Sequence, residues 1–184
     1  MTISYRKICM FGVLILLAGC TQNREVPKLK SQVVELKQML GTLADQAFIL
    51  ERQNRLNQNA SDGVYLLPNA NNAARLNSDV GELSVSLNNL KSEADGSQAM
   101  LYVRTLSGKS LRGFTATLEW GQLDTTTGMP LKKGSQSQQL QSRSALLPKT
   151  EQVFELRLSG VPLEQLGYIH LHNIIPLSAP TVIQ

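Results

Sequence analysis

Apolar positions change their spacing along this chain, and each change marks a different kind of segment. An apolar run from Ile8 to Leu16 follows Arg6 and Lys7. It is roughly half of the ~20 residues that a membrane-spanning helix needs. From Val26 the apolar residues recur at alternating steps of three and four: Val26, Leu29, Val33, Leu36, Leu40, Leu43, Ala47 and Leu50. This is a heptad pattern, with Val26, Val33, Leu40 and Ala47 at a and Leu29, Leu36, Leu43 and Leu50 at d. It predicts a helix over about residues 28–57, roughly 45 Å long at 1.5 Å per residue. Pro27 suits the first turn, where a missing N–H costs nothing. Asn54 and Asn57 take the next two seam positions, so the apolar seam fades. Asn59-Ala60-Ser61-Asp62-Gly63 then supplies stop and turn residues over 58–63.

After Gly63 the period shortens to two. Val64-Tyr65-Leu66-Leu67 is a short apolar run stopped by Pro68. Residues 73–90 fit two patterns. Ala73, Leu76, Val80, Leu83, Leu87 and Leu90 keep heptad spacing, yet Leu83, Val85 and Leu87 alternate with Ser84, Ser86 and Asn88. Gly81 would interrupt a helix, and Ala94-Asp95-Gly96 is a hairpin signal before a second alternating run, Met100 to Thr105, so strands are expected. Phe114 to Trp120 reads as a strand after a Ser107-Gly108-Lys109-Ser110 turn. Ser135 to Ser142 is polar and suits a sheet edge. Val153 to Leu158 alternates, with Val153, Glu155 and Arg157 on one face and Phe154, Leu156 and Leu158 on the other. Val161 to Leu166 resembles one helical turn, and Tyr168 to Ile175 makes a last strand before Pro176. Short strands at regular spacing point to a β-sandwich over residues 64–177, leaving a tail at 178–184.

The first apolar run ends in Leu17-Ala18-Gly19-Cys20. A basic start, a short apolar stretch and small residues before a cut describe a secretory signal over residues 1–19. The tetrad resembles the bacterial lipoprotein box. That resemblance implies a diacylglycerol thioether on Cys20, cleavage ahead of it, and acylation of the new amino group with a fatty chain such as palmitate. One acyl chain holds a protein only marginally, at ~0.8 kcal/mol per buried methylene, whereas two or more hold it stably. The partner implied at this end is therefore a membrane, met through a lipid anchor at Cys20 and a linker over residues 20–27. By resemblance to enterobacterial lipoproteins, Thr21, in place of an aspartate, leans towards the periplasmic face of the outer membrane.

Composition narrows the rest. Losing Arg6 and Lys7 with the signal takes the formal charge from +4 to +2, and the longest basic run is Lys132-Lys133. No nucleic-acid footprint is present. Of the two cysteines, Cys9 leaves with the signal and Cys20 is spent on lipid, so no intrachain disulfide is expected. Two outcomes are open for the helix. The heptads Val26–Leu50 can join copies of the chain in a parallel coiled coil, where β-branched residues at a with Leu at d lean towards two strands. Alternatively the helix is a lone amphipathic spacer, since its e and g positions are mostly Gln, Met and Ala, and Gly41 weakens its middle by ~1 kcal/mol relative to Ala.

The stretches LSVSLNNLKSEADG, FTATLEWGQLD and LSGVPLEQLGYIHLHNIIP resemble the YajI-type enterobacterial lipoproteins, over roughly residues 60–177. The resemblance implies an all-β, immunoglobulin-like sandwich behind a lipoprotein signal. It carries no catalytic, cofactor or ligand residue onto this chain.

Candidate chemistry is thin. His170 and His172 share one face of a strand, but a metal site needs three or four ligands, and no third His, Cys or nearby carboxylate stands beside them in sequence. They are expected to be a polar pair, with no metal and no cofactor. Trp120 beside Glu119 could be a sugar-stacking platform, although a lone Trp in a small sandwich more often centres the core. Glu119, Asp124, Glu151 and Glu155 could pair as acid and base only if the fold collects them. There is no G-x-S-x-G, P-loop or H-E-x-x-H. The expected function is therefore a non-catalytic envelope lipoprotein contacting another, unidentified envelope protein. The alternatives are a peptidoglycan or glycan module using Trp120, and an envelope enzyme.

Overall fold

Helix α1 (Glu25–Gln58) opens the part of the chain that the computed structural model describes, residues 25–177. The expected signal segment 1–19, Cys20 and Thr21, and the tail 178–184 lie outside the described residues. Two units are present, residues 25–45 and residues 46–177. In the first, the seam residues Leu29, Val33, Leu36, Leu40 and Leu43 are 47–65% exposed. No helix among the described residues is long and apolar enough to cross a membrane.

The second unit is mainly β. Its strands are β1 (Val64–Leu66), β2 (Ala74–Ser78), β3 (Gly81–Glu93), β4 (Gly96–Thr105), β5 (Phe114–Gly121), β6 (Gln136–Ser142), β7 (Glu151–Ser159) and β8 (Tyr168–Pro176). They form two four-stranded sheets, in the orders β1-β8-β5-β6 and β2-β3-β4-β7, with antiparallel pairing throughout. Strand alternation turns one face of each sheet inward. Val64, Leu66, Phe114, Leu118, Ile169 and Leu171 from the first sheet meet Leu76, Leu83, Val85, Leu101, Leu156 and Leu158 from the second in one core.

The ambiguous residues 73–90 are strands. Leu83, Val85 and Leu87 are all buried, a sharing of one face that period two permits and a helix does not. The register Ala74↔Val85 and Ser78↔Gly81 closes a hairpin around Asp79-Val80, and Gly81 sits at φ +125°, which only glycine adopts freely. β3 and β4 then turn at Ala94-Asp95, with a bulge near Asn89. β6 is an edge strand and exposes its glutamines; β7 exposes Val153, Glu155 and Arg157 and turns Leu156 and Leu158 inward. Leu163–Gln165 is a single 3-10 turn.

Strand order departs from the immunoglobulin arrangement, which places its first, second, fifth and fourth strands together. Here the consecutive hairpins β2–β3–β4 keep three successive strands in one sheet, and β1 pairs with the last strand instead.

Candidate functional site

The outer face of the β1-β8-β5-β6 sheet is where polar chemistry collects, and the last turns of α1 help to build it. Leu56 is buried with Leu67 and Tyr168, flanked by Ile49, Tyr65, Ala70 and Leu123. Burying one such leucine is worth about 1.5–3 kcal/mol. The contact stripe is Ile49, Gln53, Leu56 and Asn57, and two of its members are polar for a structural reason. The Leu67 N–H donates to Gln53 Oε1 (2.7 Å), while Gln53 Nε2 donates to Asn72 Oδ1 (2.9 Å). Asn57 Nδ2 donates to the Tyr65 carbonyl (3.0 Å) and its Oδ1 accepts from the Tyr65 N–H (2.6 Å). Asn57 thus stands in for a neighbouring strand and closes the free edge of β1. These side chains tie the last helical turns to the sheet, and the division between units falls inside α1, after residue 45. The seam positions Ala47, Leu50 and Asn54 lie roughly a third of a turn away from that stripe and stay exposed.

Because Asn57 takes both backbone groups of Tyr65, the pair Tyr65↔His170 is a non-hydrogen-bonded one, the kind that brings side chains closest. The rings of Tyr65 and His170 stack at 3.9 Å and 5°, and His170 stacks in turn on His172 at 4.5 Å and 16°. Asp62 reaches this row because Gly63 has no side chain. At φ +76°, a Cβ there would overlap the Leu171 carbonyl oxygen and His172 Cβ. The Asp62 carbonyl oxygen lies 2.9 Å from His170 Nε2, and Asp62 Oδ2 accepts from the Asn173 N–H at 3.0 Å. A carbonyl only accepts, so Nε2 of His170 donates, and the lone pair of the neutral ring is on Nδ1.

β5 supplies the carboxylate. The register Glu119↔His170 places Glu119 on the same face. Tyr168 donates its hydroxyl to Glu119 Oε1 at 2.9 Å, and Glu119 Oε2 lies 3.9 Å from His172 Nε2. Asp62 Oδ2 is 3.9 Å from His172 Nδ1. Burial, reinforced by the hydrogen bond to Glu119, pushes the Tyr168 phenol far above its ordinary value, so it remains a donor. Burial likewise raises Tyr65, with the Glu119 charge adding to the effect. Burial holds the His170 imidazole below its usual value, against the opposing hydrogen bond to Asp62. One ligand atom each from Glu119, His170 and His172 lies within 4.8 Å of the others, and all three residues are half-buried.

No carboxylate stands beside the histidines in sequence; Glu119 arrives from a strand about fifty residues away. The other acids stay apart. Glu151 and Glu155 lie on β7 of the opposite sheet, where Glu155 accepts from Gln98. Asp124 is spent in a turn, accepting from the Thr126 and Thr127 N–H groups and the Thr127 hydroxyl, bonds that hold its carboxyl below the usual range. The alternative of a glycan platform loses its support, and Trp120 takes the core position expected of a lone Trp in a small sandwich. Trp120 is 3% exposed within the core and its indole donates to the Ser159 carbonyl (3.1 Å), so its ring offers no stacking face.

A family described as "Protein of unknown function (DUF3251)" matches residues 20–181. This chain belongs to the DUF3251 family. A relative from Escherichia coli K12, "Uncharacterized lipoprotein YajI", is 33% identical over 171 residues, 93% of this chain and 96% of its own length. The solution structure of that E. coli lipoprotein superposes with a TM-score of 0.66, covering 76% of this chain and 84% of its own at 33% identity. The trimeric lipoprotein SadB of Salmonella enterica, 20% identical, shares the fold with a TM-score of 0.52 over 94% of this chain and 89% of its own. The DUF3251 match thus spans both α1 and the two sheets, and it begins at Cys20.

Proposed function

We propose that this protein is a non-catalytic lipoprotein of the cell envelope, anchored through lipid on Cys20, whose exposed heptad seam joins copies of the chain and displays the β unit to a partner in the periplasm. The observation that carries the reading is the division of labour on α1. The stripe that packs on the sheet is Ile49, Gln53, Leu56 and Asn57, whereas the a/d seam is left as a row of exposed leucines and valines. An apolar heptad seam left exposed among the described residues is what a parallel coiled coil requires, and lipids on every N-terminus would align the chains. Two lipoprotein relatives support the anchor, one of them a trimer with this fold. Thr21, where an aspartate would favour the inner membrane, supports the outer membrane over the inner one.

Cys20→Ser is expected to abolish lipid labelling and release the protein into the soluble periplasmic fraction. Membrane retention of the variant would remove the anchor from the proposal. Separately, a soluble form beginning at Thr21 should sediment as an oligomer, with its mass reporting two chains or three. The double change Leu36→Ser and Leu43→Ser should give a monomer. A monomeric parent form would sink self-association while leaving the anchor untouched.

A further inference from the structure

The cluster of Glu119, His170 and His172 is not used by the reading above. We propose that these three residues form a binding site for a divalent transition-metal ion of the zinc type. Two imidazoles and one carboxylate are a ligand set that suits Zn2+, and three protein ligands leave a fourth position for water or a partner's donor. The arrangement on the backbone suits the task. His170 and His172 alternate onto one face of β8, and the register with β5 sets Glu119 beside them.

What separates this cluster from a chance grouping is that the second polar atom is already hydrogen-bonded in Glu119 and His170 and faces a carboxylate in His172. The Tyr168 hydroxyl holds Glu119 Oε1, which leaves Oε2 towards His172. The Asp62 carbonyl takes Nε2–H of His170, and the Asp62 carboxylate faces Nδ1 of His172 while Nε2 faces Glu119. Carbonyl and carboxylate partners on the far side of a histidine are the supports that fix ring orientation in metal sites. Asp62 supplies both, and Gly63 is what lets it come so close to β8.

The cluster must contract to bind. Zinc bonds of about 2.0–2.1 Å in a tetrahedron put ligand atoms about 3.4 Å apart, against separations of up to 4.8 Å here. The stacked imidazoles must also turn out of their parallel arrangement so that both lone pairs aim at one point. The torsions involved, χ2 of histidine and χ3 of glutamate, are broad rather than locked in narrow wells.

The test uses the full mature protein in detergent, stripped with a chelator and titrated with Co2+ and Zn2+. One equivalent of Co2+ per chain should give the visible absorption of a low-symmetry site, and Zn2+ should displace it. His172→Gln and Glu119→Gln should each abolish the signal, and Tyr168→Phe should weaken binding about 10–100-fold. Independently of any variant's folding, Zn2+ added to the wild-type protein should shift the ring-nitrogen NMR signals of His170 and His172. Unshifted ring nitrogens at saturating Zn2+ would overturn the proposal. So would cobalt binding that survives both glutamine substitutions in folded protein, because the ion would then sit elsewhere.

Discussion

Gly63→Ala is expected to destabilise the β unit by about 3 kcal/mol or more, measured by urea denaturation of the soluble form. Two costs add at this residue. The left-handed backbone, at φ +76°, charges a non-glycine residue ~1–2 kcal/mol. The new methyl would also press on the Leu171 carbonyl oxygen and on His172 Cβ, both part of β8 at the centre of the first sheet. Overpacking against groups that cannot retreat adds about 1–3 kcal/mol. The total is a large share of the ~5–15 kcal/mol that holds a domain folded. Gly134→Ala is the matched control: φ is +85° there and nothing lies within 4 Å of a new Cβ. It should lose only the backbone part. Equal losses at the two glycines would show that Gly63 is merely a turn residue and not the point where the chain is pressed onto β8.

The parts of this molecule that are local in sequence were legible in advance, and those made by distant register were not. The heptads placed α1 within a few residues, because an apolar seam is a property of one helix. The Ala94-Asp95-Gly96 turn, the alternation of Val153 to Leu158 and the polar character of Ser135 to Ser142 are likewise signals that one strand or hairpin carries alone. Asn57 shows where this kind of inference stops. As a seam residue it reads as the fading of an apolar stripe, yet its amide is spent on both backbone groups of Tyr65. No spacing rule distinguishes a polar residue that faces water from one that completes a sheet edge. The same holds for Glu119. Its meeting with His170 depends on β5 pairing with β8, and hydrophobic periodicity says which face a residue takes but not which strand lies beside it. Sheet order was hidden for that reason too: consecutive hairpins can stay in one sheet or cross to the other without altering their own patterns.

Trp120→Ala is expected to cost about 3–5 kcal/mol, a large share of the ~5–15 kcal/mol that holds a domain folded. The indole is 3% exposed and packs among residues of both sheets. Its N–H reaches the Ser159 carbonyl at the end of β7, so a side chain from β5 joins the two sheets through one directed bond as well as by packing. Trp120→Phe separates the two contributions. It keeps most of the apolar volume but leaves the Ser159 oxygen without its donor, a loss of about 1–3 kcal/mol where that oxygen stays shielded from water. Thermal and urea unfolding of both variants should rank them in that order. A sugar-stacking tryptophan behaves in the opposite way, since an exposed ring can be removed at little cost to stability while ligand binding disappears. Near-wild-type stability of Trp120→Ala would therefore contradict the buried position of the ring and return it to the surface as a candidate binding platform. A loss in the expected range, with Trp120→Phe intermediate, ties the one tryptophan of this chain to holding the sheets together and leaves the outer face around Glu119, His170 and His172 as the place to look for chemistry.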